Sequence, residues 1–173
     1  MVVSSAILTR SNLFTQPHAN LFNLINDKNN IPDPSSNLPS QQQEKKMVYT
    51  RFPDIHGQSF QGYPFIVIFP FDNDFYNYTL GRNKSLSTFT ARVEIWSSER
   101  KRGFEGRGAE FLDTLSDYFV ETLNNTLNQS ILRNYSMANI KIETVSSDVL
   151  ETENELIYRR IFNVSFSQMT LVS

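Results

Sequence analysis

Two histidines and no cysteine occur among the 173 residues, so the groups able to carry proton or nucleophilic chemistry are few. His56 lies in Asp54-Ile-His-Gly-Gln-Ser59, which puts an acid, an imidazole and a hydroxyl in one short stretch. A nucleophilic triad needs those groups to converge from a rigid scaffold beside an oxyanion hole. Neighbouring residues of one loop next to Pro53 do not converge in that way, and the stretch reads as a polar surface turn. His18, next to Pro17, is a weaker candidate still. Asp72-Asn73-Asp74 opens like a calcium loop, but the glycine and distal glutamate of such a loop do not follow at the required spacing. It too reads as a turn. Glu151, Glu153 and Glu155 alternate as a solvated hairpin tip would. The expectation is a chain with no catalytic, cofactor-binding or metal-binding residues, and not an enzyme.

The segment Glu99-Arg-Lys-Arg-Gly-Phe-Glu-Gly-Arg-Gly108 is more informative. Its glycines match neither the dinucleotide fingerprint nor the P-loop. Arg100, Lys101, Arg102 and Arg107 instead precede a predicted helix, and positive charge is mildly unfavourable at a helix N-terminus. An anion facing the loop would account for them: the carboxylates of a neighbouring subunit, or passing DNA. The plain alternative is a solvated, hinge-like loop. A net charge of −2 argues against a general nucleic-acid binder. No apolar run approaches the ~18 residues of a membrane span, and Met1–Phe14 lacks a basic leader region. A soluble protein without a signal peptide or membrane partner is expected.

Hydropathy patterning supplies the elements that hold these residues. Residues 1–46 read as a segment with a short helix near Ala19–Asn26, interrupted upstream by Pro17, and then a Pro/Gln/Ser-rich arm over 28–46. The core domain spans 47–173. Val48–Asp54 is extended, and Tyr63–Pro70 is a continuous apolar run between prolines, read as a buried strand. Asp72–Asp74 and Asn77–Ser85 read as loops. Over Ser87–Trp96, Phe89, Ala91, Val93 and Ile95 alternate with Thr88, Thr90, Arg92 and Glu94, the pattern of an antiparallel strand with one wet face. From Gly108, Phe111, Leu112, Leu115, Phe119 and Leu123 recur at helical spacing in one long amphipathic helix that ends near Gln129–Asn134. Strands follow at Asn139–Ser146 and Ile157–Leu171, joined through Asp148–Glu155. The predicted fold class is α+β: a single four-stranded, mainly antiparallel sheet with one long amphipathic helix on one face, plus the N-terminal helix and extended arm. The other face, with Thr88, Thr90, Arg92, Glu94, Arg159, Asn163 and Ser165, is expected to be polar and open.

In order along the chain, the N-terminal helical stretch, Tyr49-Thr-Arg-Phe-Pro-Asp54, Gly62-Tyr-Pro-Phe-Ile-Val67, Phe89-Thr-Ala-Arg-Val-Glu-Ile-Trp96, the single long helix, and Glu153-Asn-Glu-Leu-Ile-Tyr-Arg-Arg-Ile-Phe162 resemble the tail-terminator and tail-completion proteins of tailed bacterial and archaeal viruses. The resemblance covers roughly residues 48–170 and rests on element order and short strings rather than a diagnostic motif. It implies a virion protein of the tail or neck, assembled in the host cytoplasm. Six copies would form a ring that ends the tail tube and meets the head connector. By the same resemblance, Arg92, Arg100, Lys101 and Arg102 are candidates for the ring lumen or an intersubunit contact, and Arg107 joins them as an interface candidate. Partners would be further copies of the chain, the tail tube protein, connector or neck proteins, and non-specifically the passing DNA. The competing readings are another neck or tube protein, a nucleic-acid module using its sheet face, and a small hydrolase or transferase.

Overall fold

A computed structural model describes residues 15–34, 46–58, 60, 62–79, 84–100, 107–135 and 137–171. Its elements are α1 (Thr15–Asn26), β1 (Met47–Tyr49), β2 (Phe65–Ile68), β3 (Asp72–Thr79), β4 (Lys84–Arg100), α2 (Gly108–Asn124), α3 (Thr126–Asn134), β5 (Met137–Glu151) and β6 (Glu155–Leu171). The strands form one mixed sheet in the order β1-β2-β4-β6-β5, with β3 also pairing to β4. Among the described residues, only the β1–β2 pair is parallel.

The fold is thus α+β, but the expected four-stranded, mainly antiparallel sheet under one long helix is wrong. The sheet is larger and mixed, and the described residues hold three helices. Each difference has a local cause. β1 is three residues long, too short to show a period. β3 opens on Asp72-Asn73-Asp74, residue types depleted in strands, which nevertheless pair with Thr90, Phe89 and Thr88 of β4. β2 and β3 lie end to end along one side of β4, parted at Pro70, with the amide of Phe69 donating to the Arg92 carbonyl at 2.9 Å. The long helix divides because Asn125 leaves helical backbone (φ −65°, ψ 124°). Its side chain then caps α3 by accepting from the amides of Leu127 and Asn128 at 2.9 and 3.3 Å. Pro17 does not interrupt α1, since it sits in the first turn, where its missing N–H has no intrahelical acceptor to lose. The connection expected over Asp148–Glu155 is shorter, because β5 runs on to Glu151.

β4 and β6 pair without a bulge from Lys84↔Leu171 to Arg100↔Glu155. At the ~3.4 Å rise of antiparallel strands, seventeen residues span roughly 55 Å. Along the middle of this ladder one face carries Phe89, Ala91, Val93, Ile95, Phe162, Val164 and Phe166, all buried. Leu112, Leu115, Phe119 and Leu123 of α2 and Leu21 and Ile25 of α1 close over them in one core. Phe119 meets Phe162 at 4.8 Å between ring centroids, and Phe89 stacks on Phe166 at 5.4 Å. Gly108 lets α2 begin against the sheet: a β-carbon there would sit 2.9 Å from the Ser98 carbonyl carbon and 3.0 Å from the Tyr158 ring.

Lys46 ties α1 down. Its ammonium donates to the Ile25 carbonyl at 3.0 Å and to that of Ile31, and its backbone amide donates to Asp33 at 3.1 Å. Burial lowers its pKa to about 8, opposed by the attraction of Asp33. Within the stretch 28–46 expected as an arm, Ile31 is therefore part of the core; residues 35–45 lie outside the described residues.

Candidate functional site

The chemical candidates are occupied with local structure. The Asp54 carboxylate accepts the backbone amide of His56 at 3.1 Å, closing a turn in which His56 is exposed. Ser59 lies outside the described residues. His18 sits 3.3 Å from the Ile68 carbonyl, its ring tilted against Phe71 at 5.3 Å. Asp72 and Asp74 are ladder positions of β3, not turn residues. Among the described residues, no cluster of three His, Cys, Asp or Glu is placed to hold a metal. Two open depressions of about 210 and 200 Å³ flank α3, one lined by Gln129, Arg133 and Lys141, the other by Asn29, Tyr118 and Asn128.

The second sheet face departs from the fully polar surface expected. Phe65, Val67 and Trp96 form a smaller core there, covered by Met47, Tyr49, Phe60, Tyr63, Phe69 and Ile157. Trp96 stacks on Phe65 at 5.8 Å and meets Phe52 edge-on at 5.2 Å. Glu94, placed on the wet face by its alternation, is buried, with its carboxylate accepting from Trp96 Nε1 at 2.8 Å and from Arg92 Nε at 2.7 Å. Arg92 also lies over the Phe69 ring at 5.4 Å, and Arg159 over Trp96 at 5.1 Å. Beyond this cluster the face is polar: Thr88 is exposed, and Asn163 and Ser165 hydrogen-bond Thr144 and Glu143. The signal for the second core was in the sequence. An unbroken apolar run such as Phe65–Phe69 belongs to a strand covered on both faces, not one.

The proposed interface residues separate. Arg92 is on the second face, already paired with Glu94. Arg100 ends β4 opposite Glu155 in the ladder, so the basic segment starts beside the acidic turn. Arg107 precedes α2 and is half-buried, with no side-chain cap. Lys101 and Arg102 lie outside the described residues.

Sequence reasoning missed two apolar patches. α3 turns Asn128 and Leu132 inward and leaves Leu127, Ile131 and Tyr135 exposed, at a spacing of four along its outer side. On β5, α3 lies near the first residues, while Val145, Val149 and Leu150 further along are about half exposed (52, 59 and 46%). Val145 and Val149 pair with Phe162 and Tyr158 of β6 and share their face, the helix side of the sheet. Between the two valines, Arg160 donates to Ser147 at 3.1 Å and bridges to Asp113 of α2 at 2.8 Å. On the opposite face Arg159 is paired with Asp148. What this surface offers is contact area. No protein-family model matches the chain, and no curated protein is significantly similar to it.

Proposed function

We propose that the protein is a structural subunit of a viral tail or neck, one of six copies in a ring that ends the tail tube and joins it to the head connector. The observation that carries this reading is the uncovered apolar surface on two different elements, the outer side of α3 and the far half of β5. A ring closed by head-to-tail contacts needs two unlike side surfaces on each subunit, and apolar patches left open on a folded chain mark protein contacts. The polar strip around Thr88, Asn163 and Ser165 leaves a further face for a neighbouring protein. The resemblance of the short sequence strings supplies the identity of the ring, and a neck or tube subunit is the reading next to it. A nucleic-acid module is disfavoured because the second-face aromatics pack against one another, with Trp96 buried, rather than lying open to bases.

Light scattering of the purified chain, with and without purified tail tubes, tests the reading. The expected result is a species near six times the 20.0 kDa chain mass, formed alone or on the tubes, that co-sediments with them. A chain that stays monomeric and ignores tubes refutes it.

A further inference from the structure

We propose that two copies of the chain pair antiparallel along the far half of β5, about a two-fold axis at Ser147. This contact goes beyond the ring reading and does not rest on it: a two-fold contact closes on itself and cannot propagate around a ring, so with β5 taken up in it the ring's side contacts fall to α3 and the polar strip around Thr88, Asn163 and Ser165.

Among the described residues, β5 is the outermost strand of the sheet and has a strand partner on one side alone. Open edges of this kind are templates for a further strand unless bulges or charge blunt them. The first part of β5 is blunted. The register shifts between Ala138 and Lys141 and again between Ile142 and Thr144, Asn139 adopts φ 53°, and Lys141 and Glu143 add charge. From Thr144 to Leu150 the register is regular, Thr144-Val-Ser-Ser-Asp-Val-Leu150, and the turn begins soon after, at Thr152. Its one charged residue, Asp148, is already paired with Arg159.

The window is self-complementary. With Ser147 on the axis, Val145 lies opposite Val149 of the second copy, and Val149 opposite its Val145. The four valines then meet on the helix side, where neither α2 nor α3 covers them. Thr144 faces Leu150 and Asp148 faces Ser146, so no like charges oppose one another. Neighbouring registers lose this match: centring on Asp148 sets two carboxylates face to face, and centring on Ser146 sets Val149 against Glu143 at the bulge. Paired in this way, two sheets become one, with their helices on the same side.

The chain contains no cysteine, so a single introduced thiol reports the register without background. Directly opposed residues of antiparallel strands bring their β-carbons to about 4.5–5.5 Å, near disulfide reach. Ser147→Cys is expected to give a covalent dimer on a non-reducing gel that reductant releases. Ser146→Cys, whose opposite residue is Asp148, is expected to give far less. Replacing Val145 and Val149 together with lysine is expected to weaken self-association in solution by at least about tenfold. Both valines are more than half exposed, so the fold should be untouched, which the fluorescence of the single tryptophan, Trp96, checks. Monomeric Ser147→Cys protein, or equal cross-linking at Ser146, overturns the pairing. Six-fold rings without a Ser147 cross-link overturn the pairing and leave the ring reading intact. A cross-linked dimer that never forms rings or meets tubes does the reverse.

Discussion

Replacing Lys46 with methionine isolates a buried charge that holds α1 to the rest of the chain. In the fold, burial lowers the lysine from 10.5 to about 8. The unfolded chain therefore keeps its proton through a window, pH 8 to 10.5, in which the folded chain gives it up. Stability increases with pH wherever the unfolded state binds more protons. Lys46 should thus raise folding stability by up to about 1.4 kcal/mol per pH unit across that window, and by about 3 kcal/mol in all. Below pH 8 both states are protonated and the full cost of the buried ammonium persists, offset by its bonds to the Ile25 and Ile31 carbonyls. Methionine keeps the volume and abolishes both contributions. Leaving two buried carbonyls unpaired costs about 1–3 kcal/mol each, so the variant should lie within a few kcal/mol of wild type at pH 7 and fall behind as pH rises. Urea unfolding between pH 7 and 10, followed through Trp96, measures the difference directly. Tyr63 is raised chiefly by burial and Tyr158 chiefly by its hydrogen bond to Glu99, so both erode stability above pH 10. They do so in both proteins and cancel in the comparison. Parallel stability–pH curves for wild type and Lys46→Met would refute the reasoning.

Three further substitutions probe how the sheet and helices are held. Gly108→Ala drives a methyl group into the Ser98 carbonyl and the Tyr158 ring, and a loss of about 1–3 kcal/mol is expected in thermal or urea unfolding. Asn125→Ala removes the cap of α3 and should cost about 1 kcal/mol, read best as faster amide exchange over Thr126–Asn134. Arg92→Ala leaves the buried Glu94 carboxylate with Trp96 Nε1 as its remaining described donor and should cost about 1–2 kcal/mol at neutral pH. Adding Glu94→Gln should recover most of that loss if Arg92 serves the fold, and recover nothing if Arg92 serves only an interface.

The strongest periodic signals were legible because each was a single-sided pattern sustained over many residues. Phe89 to Ile95 marked β4, Phe111 to Leu123 marked α2, and Tyr158 to Phe166 marked β6. β3 was not legible because tertiary pairing along the free side of β4 overrides the poor strand propensity of Asp72-Asn73-Asp74. The far half of β5 was not legible because an edge strand open on both faces needs no alternation. The division of the long helix was marked by Asn124-Asn125-Thr126, residues that favour caps, and the hydrophobic period running through them concealed it. The candidate site was harder to read than the elements. Charge drew attention to Arg92 and to the loop before α2, yet Arg92 is taken up by Glu94 within the fold. The exposed Leu127, Ile131, Val145 and Val149 look in sequence like ordinary core residues. Only the three-dimensional packing separates an apolar side chain that is covered from one that waits for a neighbour.

β6 follows every other element in the sequence yet lies between β4 and β5. On a ribosome, the helices and five strands are made while the middle of the sheet is still missing. Phe89, Ala91, Val93 and Ile95 then wait beside an empty track for Phe162, Val164 and Phe166. Translation at roughly 5–20 residues per second leaves the nascent chain in that state for seconds. Chaperones should therefore bind a chain that lacks β6 more avidly than the finished one.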